Sequence, residues 1–195
     1  MFESLTANKE NAISILKDDH AKVKDLFDKF EKADSIAKKK KIAAEAIMEL
    51  KIHAAIEEEI FYATVRKPTG RKIMNEADEE HHVAKFLIAE LERMTGKEDH
   101  YEAKFTVLAE NVKHHIREEE GQMFPKVKSE AINLDALGKK MLARKAQLKK
   151  TGVAVFAEEK LVRSFKGKAD SPAQAAKTKK PVKLTQKSKG KKTAA

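Results

Sequence analysis

Along four long segments of this 195-residue chain, apolar residues recur at three- and four-residue steps, and histidines and glutamates fall on the same stripes. The first segment, from about Asn8 to Lys32, aligns Ile13, Leu16, His20, Val23, Phe27 and Phe30. The second, from about Ser35 to Arg66, aligns Ile42, Ala46, Leu50, His53, Glu57 and Phe61, with Ser35 as N-cap and Lys67-Pro68-Thr69-Gly70 as the break. The third, Arg71 to Met94, aligns Met74, Ala77, His81, Ala84, Ile88 and Leu91 and closes at Gly96. The fourth, Asp99 to Val127, aligns Phe105, Leu108, Val112, His115, Glu119 and Met123. One face of each helix must therefore be buried. The expected fold is all-α, an antiparallel up-and-down four-helix bundle over residues 1–130. Further helical segments are expected over residues 131–165, one from Leu134 to about Lys150 and another from Val153 to Ser164.

Burying these stripes also buries His20, His53, Glu57, His81, His115 and Glu119. A buried carboxylate is costly unless it is paired. Positions four apart are neighbours on a helix, so His53 with Glu57, and His115 with Glu119, can each grip one edge of a metal ion. His20 and His81 would add a ligand each. Two divalent cations bridged by the two carboxylates would neutralise them, as in other bundle interiors. A lone histidine on an apolar stripe is more often a hydrogen-bonded core residue; six matched positions on four helices favour metal. Spacing alone leaves two registers open. His114 and Glu118 have the same spacing as His115 and Glu119, but counting back from His114 meets Lys104, whereas counting back from His115 meets Val112, Leu108 and Phe105. His82 competes with His81 and meets Lys85 at the next turn. His115 and His81 are the choices that follow the core face.

The chain has no cysteine, so disulfides, thiolate catalysis and iron–sulfur clusters are excluded, and any metal is held by nitrogen and oxygen. That donor set suits iron, manganese or zinc. No apolar run approaches the roughly 18 residues of a membrane span, so no membrane partner is expected. The stretch MFESLTANKE lacks the basic start and apolar core of a secretory signal, and the expected location is cytoplasmic.

The segments LKDDHAKVKDLF, HAAIEEEIFY, EEHHVAKFLIAEL and HHIREEEGQMFP resemble the hemerythrin-like, HHE cation-binding family over residues of about 12–127. The resemblance implies a non-haem di-iron centre with carboxylate and oxo or hydroxo bridges. His20, His53, His81 and His115 would be terminal ligands, Glu57 and Glu119 would bridge, and dioxygen, nitric oxide or peroxide would be the small ligand, with iron sensing or storage as further roles. One departure bears on function. Oxygen-carrying members have two histidines four residues apart on the third helix; here His81 is followed at that spacing by Lys85. One imidazole is missing, which weakens oxygen carriage and leaves room for another ligand or an open position. No residue presents itself as a dedicated acid or base, so an enzymatic role is left open.

Net charge is +10, but residues 166–195 hold ten lysines against one acid, Asp170, and so carry +9 of it. This stretch has too little apolar surface to offset its ordering entropy and is expected to be disordered. Its AAKTKKPVK and KSKGKK runs look like the Lys/Ala/Pro-rich tails of linker-histone-like proteins. The competing functional reading is therefore non-specific nucleic-acid contact through the tail, with the metal site structural or sensory. A chain ending at Ser164 is expected to lose salt-sensitive affinity for duplex DNA while keeping its iron. Retained affinity in a fluorescence anisotropy titration would defeat the tail reading.

Overall fold

A computed structural model describes residues 11–164, and these are helical throughout apart from short connections. The expected tail, residues 166–195, lies outside the described residues, as do the first ten. Helix α1 (Ala12–Lys32) is capped by Asn11, whose side chain accepts from the Ser14 N–H at 3.0 Å. Helix α2 (Ile36–Ile56) is capped by Ser35, as expected. It runs without a break into a π-helical stretch, Glu57–Tyr62, and then α3 (Ala63–Thr69). Pro68 sits inside α3, so the rod ends at Thr69 and the stop is Gly70. Helix α4 is Arg71–Leu91. Helix α5 (Tyr101–Glu118) continues through a second π-helical stretch, Glu119–Met123, into α6 (Phe124–Lys128). Helices α7 (Leu134–Thr151) and α8 (Ala157–Ser164) follow.

The stripes are buried as their spacing demands, apart from Ile42 and Ala84, which are half-buried. Phe27, Phe61, Phe105 and Leu108 are at most 1% exposed. The apolar interior falls into two clusters. One gathers Leu16, Ile52, Ile56, Phe61, Met74 and Phe124. The other gathers Val23, Phe27, Phe30, Leu50, Ile88 and Phe105. Phe30 stacks on Phe105 with ring centroids 4.0 Å apart, and each such buried ring contributes roughly 1.5–3 kcal/mol. Between the clusters lies the polar layer. His20 stands between Leu16 of the first cluster and Val23 of the second; His53 stands between Leu50 of the second and Ile56 of the first. The order of the clusters alternates from rod to rod.

The C-terminal helices pack onto the rods. Helix α7 lies against α1 and α2, adding Leu137, Met141 and Leu148 to the first cluster, while α8 lies against α4. Arg144 of α7 makes a two-pronged contact with Glu59, at 2.7 and 2.9 Å. Among the described residues no helix is long and apolar enough to cross a membrane.

Gly70 has φ 91° and ψ 151°, a region open almost solely to glycine, and nothing lies within 4 Å of where a Cβ would sit. Gly70→Ala should therefore destabilise through the backbone alone, by about 1–3 kcal/mol in urea unfolding, without altering the folded spectrum.

Candidate metal centre

Each π-helical stretch opens on a buried glutamate, Glu57 in one and Glu119 in the other. A π turn accommodates an extra residue. The side chain five positions beyond each glutamate is thereby brought inward together with the one four positions beyond. Phe61 and Tyr62 are both buried after Glu57, as are Met123 and Phe124 after Glu119.

All six residues singled out from the spacing are buried, with Glu57 0% and Glu119 1% exposed. Their inner atoms converge. Glu57 Oε2 lies 3.1 Å from His53 Nε2 and 3.4 Å from His81 Nε2. Glu119 Oε2 lies 3.2 Å from His20 Nε2 and 3.5 Å from His115 Nε2. Two overlapping donor sets result, each with its ligand atoms within 4.8 Å of one another: His20, His53, Glu57 and Glu119 in one, Glu57, His81 and His115 in the other. Adjacent donors on an ion with bonds of about 2.1 Å are about 3.0–3.4 Å apart, so the spacing is that of a coordination sphere. His20 Nε2, both oxygens of Glu57 and Glu119 Oε2 are buried with no hydrogen-bond partner among the described residues. Buried polar atoms are rarely left so. This donor set fits a bound metal cation.

The outer nitrogen of every one of these imidazoles faces a carboxylate that spacing did not single out as its partner. His20 Nδ1 is 3.0 Å from Glu120, His81 Nδ1 2.7 Å from Glu58, and His115 Nδ1 2.7 Å from Glu80. His53 Nδ1 is 3.5 Å from Asp19. A proton held at Nδ1 leaves the Nε2 lone pair facing inward, which is the tautomer a metal needs. Three of these carboxylates are held in turn by lysines: Asp19 by Lys145, Glu58 by Lys85 at 2.6 Å, and Glu120 by Lys17 at 3.5 Å. Lys85 is thus directed at an outer carboxylate, with its ammonium also 4.9 Å from the centre of the Phe156 ring.

Electrostatics without a bound cation follow from this geometry. Burial works against a charged imidazole at His53, but Glu57 and Asp19 outweigh it and hold the proton up to about 10. At His81 burial again opposes charge, and Glu57 and Glu58 raise the value to about 9. Burial tends to raise the Glu57 carboxyl, and His53 and His81 bring it well below the usual range.

Tyr62 is a residue that the α-helical period missed, since it lies one position off the stripe. Its hydroxyl donates to Glu119 Oε1 at 2.8 Å and lies 3.3 Å from both His81 Nε2 and His115 Nε2. Phe124 holds the matching place in the other half and stacks on His20, with ring centroids 5.9 Å apart. His114 and His82 point elsewhere. Their side chains are 53% and 55% exposed, His114 beside Glu80 and Glu118, and His82 beside Glu158. A cavity of about 30 Å³ opens onto the centre, lined by His20, His53, His81 and His115 together with apolar residues that include Val23, Leu50, Ile88 and Val112.

Residues 11–127 match the family described as Hemerythrin HHE cation binding domain. A solved relative, a hemerythrin HHE cation binding domain-containing protein from Mycobacterium kansasii, is 30% identical. It superposes with a TM-score of 0.62 over 79% of this chain and 98% of its own. A DNA nickase from Nostoc sp. (strain PCC 7120) is 25% identical over 119 residues, 61% of this chain. This chain spans about a third of that protein's length, 34%. With the match covering well over half of its residues, the chain belongs to the hemerythrin HHE cation binding domain family.

Proposed function

We propose that this protein holds two iron ions in an antiparallel up-and-down bundle and presents them to a small ligand: dioxygen, nitric oxide or peroxide. His20 and His53 would hold one ion, His81 and His115 the other, with Glu57 and Glu119 bridging. The observation that carries the reading is His20 Nε2, both oxygens of Glu57 and Glu119 Oε2, left without partners in a buried layer. Iron is preferred over manganese or zinc because of the family. Bound iron would supply one-electron redox chemistry and an open position for the ligand. The chain's own part is to fix the imidazole tautomers through the outer carboxylates, to exclude water with the two apolar clusters, and to size the ligand space. A cavity of about 30 Å³ has room for about one or two water-sized molecules.

Tyr62 stands beside the smaller of the two donor sets. One set has four residues and the other three, and the Tyr62 hydroxyl lies 3.3 Å from both imidazoles of the second. It also keeps Glu119 oriented by donating to Oε1.

A second reading is polyanion contact through residues 166–195, favoured by ten lysines against one acid there. The DNA nickase likeness points the same way. The two readings coexist, with the tail bringing the iron centre to nucleic acid.

Purified protein should contain two iron ions per chain by metal analysis and absorb in the near ultraviolet when oxidised; changing His53 and His115 together to Ala should remove both iron and band. Wild-type protein free of iron after reconstitution would sink the proposal. Tyr62→Phe should keep both iron ions but shift the near-ultraviolet band of the oxidised protein, because Glu119 Oε1 loses its donor. An unchanged spectrum in that variant would show that the Tyr62 hydroxyl does not orient Glu119.

A further inference from the structure

The four outer carboxylates are not equivalent. Asp19, Glu58 and Glu120 each have a lysine ammonium within 4.0 Å, whereas among the described residues Glu80 has no lysine or arginine within that distance. What faces it instead is an imidazole and another carboxylate. Glu80 Oε1 is 3.3 Å from His114 Nε2, and His114 Nε2 is 3.7 Å from Glu118 Oε1. These three side chains bring one ligand atom each within 4.8 Å of one another. The other oxygen of Glu80 is already engaged by His115 Nδ1 at 2.7 Å, so Oε1 is free to turn outward.

We propose that Glu80, His114 and Glu118 form a third cation site, at the surface, for a first-row divalent metal ion. His114 and Glu118 are four apart on one rod and come from its last α turn, just before the π stretch opens at Glu119. Glu80 reaches across from α4. One imidazole and two carboxylates make a donor set for iron, manganese, cobalt or zinc, with water filling the remaining positions. Partial exposure, 53% at His114 and 26% at Glu118, leaves the ion open to solvent. Arg117 lies 3.4 Å from His114 Nδ1, an exposed contact that the imidazole gives up when Nε2 takes the ion and Nδ1 carries the proton. The cation does for Glu80 what lysines do for the other three: it holds the carboxylate that orients a buried imidazole. The site does not depend on the buried pair being occupied.

Full-length protein titrated with Co2+ alone, in equilibrium dialysis, should bind one equivalent more than the His114→Ala, Glu118→Gln double variant. Both changed residues are exposed enough for the fold to persist, which circular dichroism checks. His82→Ala serves as control, because His82 has a carboxylate partner in Glu158 but belongs to no three-residue donor set among the described residues. It should bind as many equivalents as wild type. Equal binding by wild type and the double variant overturns the site. So does an equal loss in the His82 variant, which would assign the extra ion to any exposed imidazole. The buried pair is scored separately by the His53 and His115 double variant, so failure of one reading is not failure of the other.

Discussion

The hydrogen bond from an imidazole Nδ1 to an outer carboxylate is the constraint on which the centre depends. Neutral imidazole carries its proton on one nitrogen, and only the other can bind a metal. By engaging Nδ1, Glu120, Glu58 and Glu80 turn the Nε2 lone pairs of His20, His81 and His115 inward, while Asp19 faces His53 Nδ1 as an ion-pair neighbour at 3.5 Å. The pairings close on themselves. Asp19 of α1 serves His53 of α2; Glu58, in the π stretch that follows, serves His81 of α4. Glu80 of α4 serves His115 of α5, and Glu120 returns to His20 of α1. Each rod lends a carboxylate to the next, so no helix can be removed without loosening an imidazole on another.

Much of this was legible before any coordinates. Histidines on apolar stripes, with glutamates one turn on, are enough to require a buried polar layer, and the burial of the six residues follows from the helical period alone. The choice of His115 over His114 rested on Val112, Leu108 and Phe105 preceding it on the same face, and all of these are buried. The partners of the outer carboxylates were hidden for a physical reason. Each of Asp19, Glu58, Glu80 and Glu120 is adjacent in sequence to a stripe residue yet acts on a different helix, so within its own helix it reads as part of a solvated face. Only tertiary packing supplies the partner. Tyr62 was hidden differently. A period of 3.6 residues places it off the stripe, and a π turn restores it. The pattern EEE-I-F-Y does not announce where that turn falls.

The C-terminal helices contribute more than cover. Helix α7 brings Lys145 to Asp19, and Phe156, just before α8, lines the cavity and lies beneath Lys85. Both are charges or rings placed one contact outside the buried layer. Sequence periodicity found these helices but could not say which face of the bundle they would meet, because their amphipathic pattern fits any apolar surface.

Tyr62 and Phe124 hold equivalent places in two halves that otherwise echo each other. They differ by one oxygen atom. A symmetric cage would treat its two interior positions alike; this one has a hydroxyl at one pole and hydrocarbon at the other. Any molecule admitted between them meets a direction, and a cage built from two like pairs of rods has in this way a front and a back.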